Sequence, residues 1–185
     1  MVHKKKNKKQ YFKPTITMKK LVVSLFSKRN YDFDLLATCS FCHGDTCPDG
    51  CSTTCFVSGT KILADKEYKH IETLKIGDKI TAYNFSKNSL VTAKIAKVII
   101  GTSTHLIKIN NCIEVTPEHR FWINSNKWTR AKNIKLGSSM FNSKGAKIPI
   151  LSLELKEKVV PVFNLHLTGR HHTYFAEDVL VHNWK

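Results

Sequence analysis

The run Ala93-Lys94-Ile95-Ala96-Lys97-Val98-Ile99-Ile100 is apolar and rich in β-branched residues, broken only by two lysines, and it reads as a β-strand. Working outward, the same texture recurs between turn residues. Thr60-Lys61-Ile62-Leu63, Lys79-Ile80-Thr81-Ala82-Tyr83 and Leu106-Ile107-Lys108-Ile109 are short strand-like segments. Phe121-Trp122-Ile123, Ile148-Pro149-Ile150-Leu151, Val159 through Leu167, and Tyr174-Phe175-Ala176 through Val181 continue the pattern. No stretch sustains a 3.6-residue period. From Cys55 onward the chain is therefore expected to be all-β.

The composition changes along the chain and suggests its boundaries. Residues 1–38 hold ten Lys/Arg against two Asp, a surplus of +8 out of the chain's net +16. They show no periodic pattern and read as a basic, solvated, disordered tail. A tail of this kind could meet nucleic acid or an anionic surface, but charge alone favours the solvated reading. Residues 39–54 are rich in Cys, Gly, Asp, Ser and Thr and read as a loop segment. At 185 residues the chain can build one well-packed core. Leu21-Val22-Val23-Ser24-Leu25-Phe26 is far too short to cross a bilayer, so no membrane span is expected. Lys28-Arg29-Asn30 ends that run too early for a signal peptide.

Cys39, Cys42, Cys47 and Cys51 have spacing compatible with a small zinc site, with His43 as a substitute ligand. The same cluster could form disulfides in an oxidising compartment, and both readings stay open. Cys112, between Asn111 and Ile113, reads as a small buried apolar side chain in a strand.

Cys55 stands apart because Phe56-Val57-Ser58-Gly59-Thr60 follows it, placing a thiol just ahead of a turn and the first β run. A nucleophilic thiol needs a carbonyl within reach and groups that stabilise the charge that develops. Thr116-Pro117-Glu118-His119 puts a hydroxyl and an imidazole three residues apart in a turn, where both could converge on one carbonyl. Taken singly, a histidine in a turn is more often a hydrogen-bonded surface residue than a catalyst. The third element is the apolar run Val179-Leu180-Val181, which leads into His182-Asn183, with His171-His172 shortly before it.

Together these segments resemble the Hint superfamily of inteins and Hedgehog autoprocessing domains, and most closely its pretoxin variant. Cys55 to Ile62 is similar to the variant's opening, and Ile71-Glu72 through Lys75-Ile76-Gly77-Asp78-Lys79-Ile80 to the segment after it. Val115-Thr116-Pro117-Glu118-His119-Arg120-Phe121-Trp122-Ile123 resembles the Thr-x-x-His block. Trp128 and Leu136-Gly137 fit the strand and turn that follow. Val162-Phe163-Asn164-Leu165, His172-Thr173-Tyr174-Phe175-Ala176 and Val179-Leu180-Val181-His182-Asn183 resemble the closing blocks.

The resemblance implies a horseshoe-shaped all-β domain over residues 55–183, preceded by a short basic, Cys-rich extension and followed by the residual flank 184–185. In it the strand near Cys55 and the strand ending at Asn183 would lie side by side. It also implies that Cys55 attacks the carbonyl of Thr54 to give a thioester, while Thr116 and His119 polarise the Thr54–Cys55 bond and protonate its amine. At the other end, Asn183 would cyclise to a succinimide and release Trp184, assisted by His182 and His172, with Asn164 and His171 as secondary candidates. No cofactor is required beyond the zinc reading of the cysteine cluster. The partners are the chain's own flanking segments, and the domain is expected to act as a monomer.

Two positions depart from the splicing pattern. Trp184 stands where a splicing intein has Cys, Ser or Thr, and Asn164 where many inteins have Asp, although pretoxin-type domains often carry Asn there. The expectation is cleavage without joining, as in toxin-releasing domains. The alternatives are a splicing-competent mini-intein, or an inactive remnant serving as a basic or zinc-binding module. A Hedgehog-type sterol transfer is disfavoured by the closing His182-Asn183, and a protease acting in trans by the absence of a recognisable substrate-binding segment. With only Trp184-Lys185 after Asn183, a truncated gene, a degenerate remnant or an isolated cassette is expected, located in the cytoplasm or exported with a toxin.

Overall fold

The computed structural model describes residues 54–182. The basic segment 1–38, the cysteines Cys39, Cys42, Cys47 and Cys51 with His43, and the closing residues Asn183 and Trp184 lie outside the described residues. Among the described residues there is no α-helix, and hence none long and apolar enough to cross a membrane. Thirteen strands and two short 3-10 turns, Ile71–Thr73 and Ala131–Asn133, make up the fold.

In chain order the strands are β1 (Phe56–Val57), β2 (Lys61–Ala64), β3 (Glu67–His70), β4 (Lys79–Asn84), β5 (Ser89–Ile109), β6 (Ile113–Val115) and β7 (Arg120–Ile123). They continue with β8 (Lys127–Arg130), β9 (Ser139–Phe141), β10 (Lys147–Pro149), β11 (Leu153–Leu167), β12 (Thr173–Ala176) and β13 (Val179–His182). One sheet has the order β11-β1-β6-β5-β4, and because β11 also pairs with β5, the strands β11, β1, β6 and β5 close into a ring. The other runs β10-β9-β7-β13-β12-β2-β3, with β8 added to β7. Every pairing is antiparallel, which explains why short strands joined by tight turns suffice. At the β12–β13 hairpin, Glu177 and Asp178 both take positive φ, the geometry of a two-residue turn that matches strand twist.

The all-β expectation holds, and burial explains the text of each strand. β12 and the Val179-Leu180-Val181 part of β13 are buried on both faces, so they read as unbroken apolar runs. β3, at a sheet edge, is exposed throughout and reads Glu-Tyr-Lys-His. The sequence suggests separate strands at 93–100 and 106–109, whereas β5 is continuous over 21 residues. Its partner β11 supplies the reason: the ladder runs from Leu153↔Ile109 to Leu167↔Ile95, so Gly101-Thr102-Ser103 is paired strand and not a turn, with a register shift at Thr104. Midway along this ladder the side chains outrun the core, leaving Ile100 and Val159 exposed.

Cys112 also differs from expectation. It is exposed, in the turn between β5 and β6, and not a buried strand residue. Asn110 and Asn111 both adopt positive φ and the Cys112 N–H donates to Ile109 O, so the chain reverses here. Asparagine tolerates the left-handed region that this turn demands, which is the signal the sequence carries.

Candidate active site

The upstream site is assembled by strands that meet around one peptide bond. β1 is only two residues long, yet Phe56 pairs with Phe163 of β11 on one side and with Val115 of β6 on the other. This wedge fixes Cys55 opposite Thr116. The Cys55 N–H donates to the Thr116 hydroxyl at 2.8 Å, the hydroxyl donates to Cys55 O at 3.2 Å, and the Thr116 N–H donates to the same carbonyl at 2.9 Å. Thr116 thus engages the nitrogen of the Thr54–Cys55 bond and the carbonyl on its far side. The expectation that Thr116 and His119 would converge on one carbonyl is corrected accordingly: Thr116 bonds the nitrogen and carbonyl of Cys55, whereas the backbone that influences His119 is that of Thr54.

His119 follows Thr116 through a tight turn, its N–H donating to Thr116 O at 3.2 Å. The 3-10 turn at 131–133 clamps this turn from outside, with the Ala131 N–H donating to His119 O and the Lys132 N–H to Pro117 O. Glu118 adds ion pairs to Arg130 and Lys132. The imidazole is fully buried, packed against Phe56 with ring centroids 4.3 Å apart and flanked by Phe121 and Tyr174. Its pKa is lowered from the ordinary 6.5 to about 3, chiefly by burial; the Thr54 backbone opposes the shift and the nearby His182 adds a smaller lowering. A group that stabilises an imidazolium accepts from it, so the Thr54 carbonyl is the part of that backbone involved. In the resting structure neither ring nitrogen reaches ordinary hydrogen-bond geometry. The ring is therefore neutral near pH 7, not the resting imidazolium that direct protonation of the amine would need.

Asn164 is buried beside this bond. Its Nδ2 donates to Thr54 Oγ1 at 3.1 Å, and its Oδ1 accepts from the Leu165 N–H at 2.8 Å and from the Tyr174 hydroxyl at 3.2 Å. Tyr174 is fully buried, and desolvation together with the proximity of Cys55 holds its phenol protonated, well above the usual range. From the sequence Asn164 is a secondary candidate and Tyr174 only a strand residue. The signal for Tyr174 is a polar ring tip inside the apolar run Tyr174-Phe175-Ala176, since a buried tyrosine usually brings a hydrogen-bond partner with it.

The downstream residues come close by another route. Val181 of β13 pairs with Phe121 of β7, two residues after His119, which brings His182 near enough to influence the His119 ring. His182 meets Trp128 edge to face, centroids 4.9 Å apart at 83°. Thr173 lies opposite His182, so the half-buried His172 and His171 sit at the same end of the β12–β13 hairpin. β1 and β13 are not hydrogen-bonded neighbours as expected; they belong to different sheets and are joined through the β6–turn–β7 segment. Among the described residues no group of three or more His, Cys, Asp or Glu is arranged to hold a metal ion.

A domain that holds a cysteine's amide nitrogen on a threonine hydroxyl, with a fully buried imidazole near the preceding residue's backbone, at the junction of curled antiparallel sheets, is of the Hint class found in inteins. The chain belongs to the pretoxin HINT domain family, whose model matches residues 61–184, a span that starts after Cys55. Among solved structures it is similar to a bacterial intein-like domain from Clostridium thermocellum, with 28% identity over 71% of this chain and 100% of that one, at a TM-score of 0.66. The DnaB intein from Synechocystis shares the fold at 22% identity, a TM-score of 0.61, and coverage of 72% of this chain and 100% of its own. So does the TvoVMA intein, at 16% identity, a TM-score of 0.63, and coverage of 71% and 99%. No curated protein sequence matches the chain. Hint and intein-like domains process their own polypeptide, acting on its flanking segments without a cofactor.

Proposed function

We propose that residues 55–183 cleave the chain at the Thr54–Cys55 and Asn183–Trp184 bonds without joining the flanks, as a toxin-releasing domain would, with 1–38 and 39–54 as upstream cargo. The observation that carries this is the enclosure of one peptide bond: Thr116 on its nitrogen, fully buried His119 on the Thr54 backbone, and the Cys55 thiol alongside. Cys55 Sγ bonds to the Thr54 carbonyl carbon, the C–N bond breaks, and the thiol proton ends on the freed amine. A neutral His119 suits this transfer, because it can accept the proton before giving it up. Thr116 holds the departing nitrogen and can accept from the amine as its charge develops. Positioning supplies much of the rate, since an intramolecular attacker reaches effective molarities of about 10⁵–10⁸ M.

At the other end the Asn183 side-chain nitrogen attacks its own backbone carbonyl, expelling the Trp184 amine with a proton from His182 and with His172 assisting. Joining would require a side-chain nucleophile at position 184, and indole is not one. The test places one reporter before Cys55 and another after Lys185. The expected products are a free downstream reporter beginning at Trp184, no ligated pair, and an upstream thioester that yields to water or thiol. Asn183→Ala should stop downstream release and leave the thioester step intact. A ligated pair, or release that survives Asn183→Ala, overturns the mechanism.

A further inference from the structure

The hydrogen bonds around Asn164 have a direction. The Leu165 backbone N–H can only donate, so the Asn164 atom facing it at 2.8 Å has to be Oδ1. Tyr174 supplies a second donor to the same oxygen from a fully buried position. With Oδ1 saturated from two sides, the Nδ2 group has one orientation, toward the side chain of residue 54. There it meets the Thr54 hydroxyl at 3.1 Å. Asn164 is itself only 3% exposed, so an amide hydrogen without an acceptor could not turn to solvent.

We infer that Asn164, locked by Tyr174 and Leu165, is a selectivity site for the residue preceding the nucleophile, accepting a short side chain that carries a hydrogen-bond acceptor, as Thr and Ser do. The Cβ substituents of Thr54 and Val are nearly the same size, so the selection is polar and not steric. A hydroxyl at residue 54 accepts one of the two Nδ2 hydrogens and pins the side chain next to the carbonyl that Cys55 would attack. An isosteric apolar residue leaves Nδ2 unsatisfied in a buried place. Tyr174 acts through Asn164 and is a positioning residue. This inference rests on the proposed upstream cleavage for its consequence, but the contact itself exists in the uncleaved chain.

The experiment compares thiol-induced cleavage after residue 54 in the full chain carrying Thr54, Thr54→Ser or Thr54→Val, followed by intact mass. Serine is expected to retain the parental rate within about threefold and valine to slow it about tenfold, the usual consequence of stranding a buried donor. In an Asn164→Leu background the Thr-to-Val ratio should collapse toward one, and Tyr174→Phe should narrow it. A ratio near one in the parent, or a ratio untouched by Asn164→Leu, overturns the inference. The second measurement does not need cleavage: in Cys55→Ala chains, denaturant unfolding of the Thr54→Val, Asn164→Leu and doubly substituted proteins forms a cycle. Coupling between the two positions is expected, and strict additivity overturns the inference. Coupling in the cycle, together with a parental Cys55 chain that does not cleave under thiol, would sink the proposed function and leave the selectivity contact standing. Cleavage without coupling would do the reverse.

Discussion

The two ends of the domain hold their candidate groups in different ways. At the upstream end Cys55 is 5% exposed, and Thr116 and His119 are fully buried, each fixed by strand pairing or by a clamped turn. At the downstream end His182 is half-buried on the last residue of β13, its ring set edge-on against Trp128, itself half-buried on β8. The upstream site is part of the core, whereas the downstream site lies at its rim. The proposed upstream step would therefore rely on groups that cannot move without disturbing packing, while the proposed downstream step would rely on His182 at the rim, set against Trp128.

The contrast can be broken most directly at its buried side. Cys55→Ala should abolish thiol-induced cleavage after Thr54, and His119→Ala should slow it by about 10²–10⁴-fold, the loss typical of a proton-transfer group. Intact-mass analysis with dithiothreitol reads both, and dithiothreitol-dependent cleavage persisting in Cys55→Ala would remove the thiol from the mechanism.

Burial of His119 has a consequence for stability as well. Its folded pKa of about 3 lies below the ordinary 6.5, so between those values the unfolded chain binds a proton that the folded chain does not. The stabilisation is complete above pH 6.5 and is lost progressively as the pH falls toward 3, at about 1.4 kcal/mol per pH unit. Denaturant unfolding of the uncleavable Cys55→Ala protein, compared with the same protein carrying His119→Phe, isolates this contribution from those of the other histidines. Parallel pH dependences in the two would show that His119 is not held neutral by the fold.

The smallest expected effect sharpens the rim side. Trp128→Ala removes the His182 contact, worth about 0.5–1.5 kcal/mol, along with the packing of Trp128 on Trp122 and Phe85, and downstream release should slow by about threefold to tenfold. Upstream thiolysis should slow less, because Trp128 lies on the His182 side. Quantifying both products from one fusion protein with a reporter at each end gives the two rates together, and equal slowing at both ends would mean that core and rim are not separable.

Sequence by itself determined the fold class and the order of its parts, because strand text is a local property: Val179-Leu180-Val181 reads as a central strand wherever it lies. The blocks around Cys55, Thr116–His119 and His182 were likewise legible as residue types at particular spacings. Tertiary structure alone decided what each group touches. Thr116 meets the Cys55 nitrogen across 61 residues and Asn164 meets Thr54 across 110, and no periodicity encodes contacts at such separations. The single long β5 was hidden for the same reason, since its continuity comes from pairing with β11 and not from its own Gly-Thr-Ser-Thr text. The charge state of His119 and the part played by Tyr174 are products of desolvation, a quantity that exists only once Phe56, Phe121 and Tyr174 have closed around the ring.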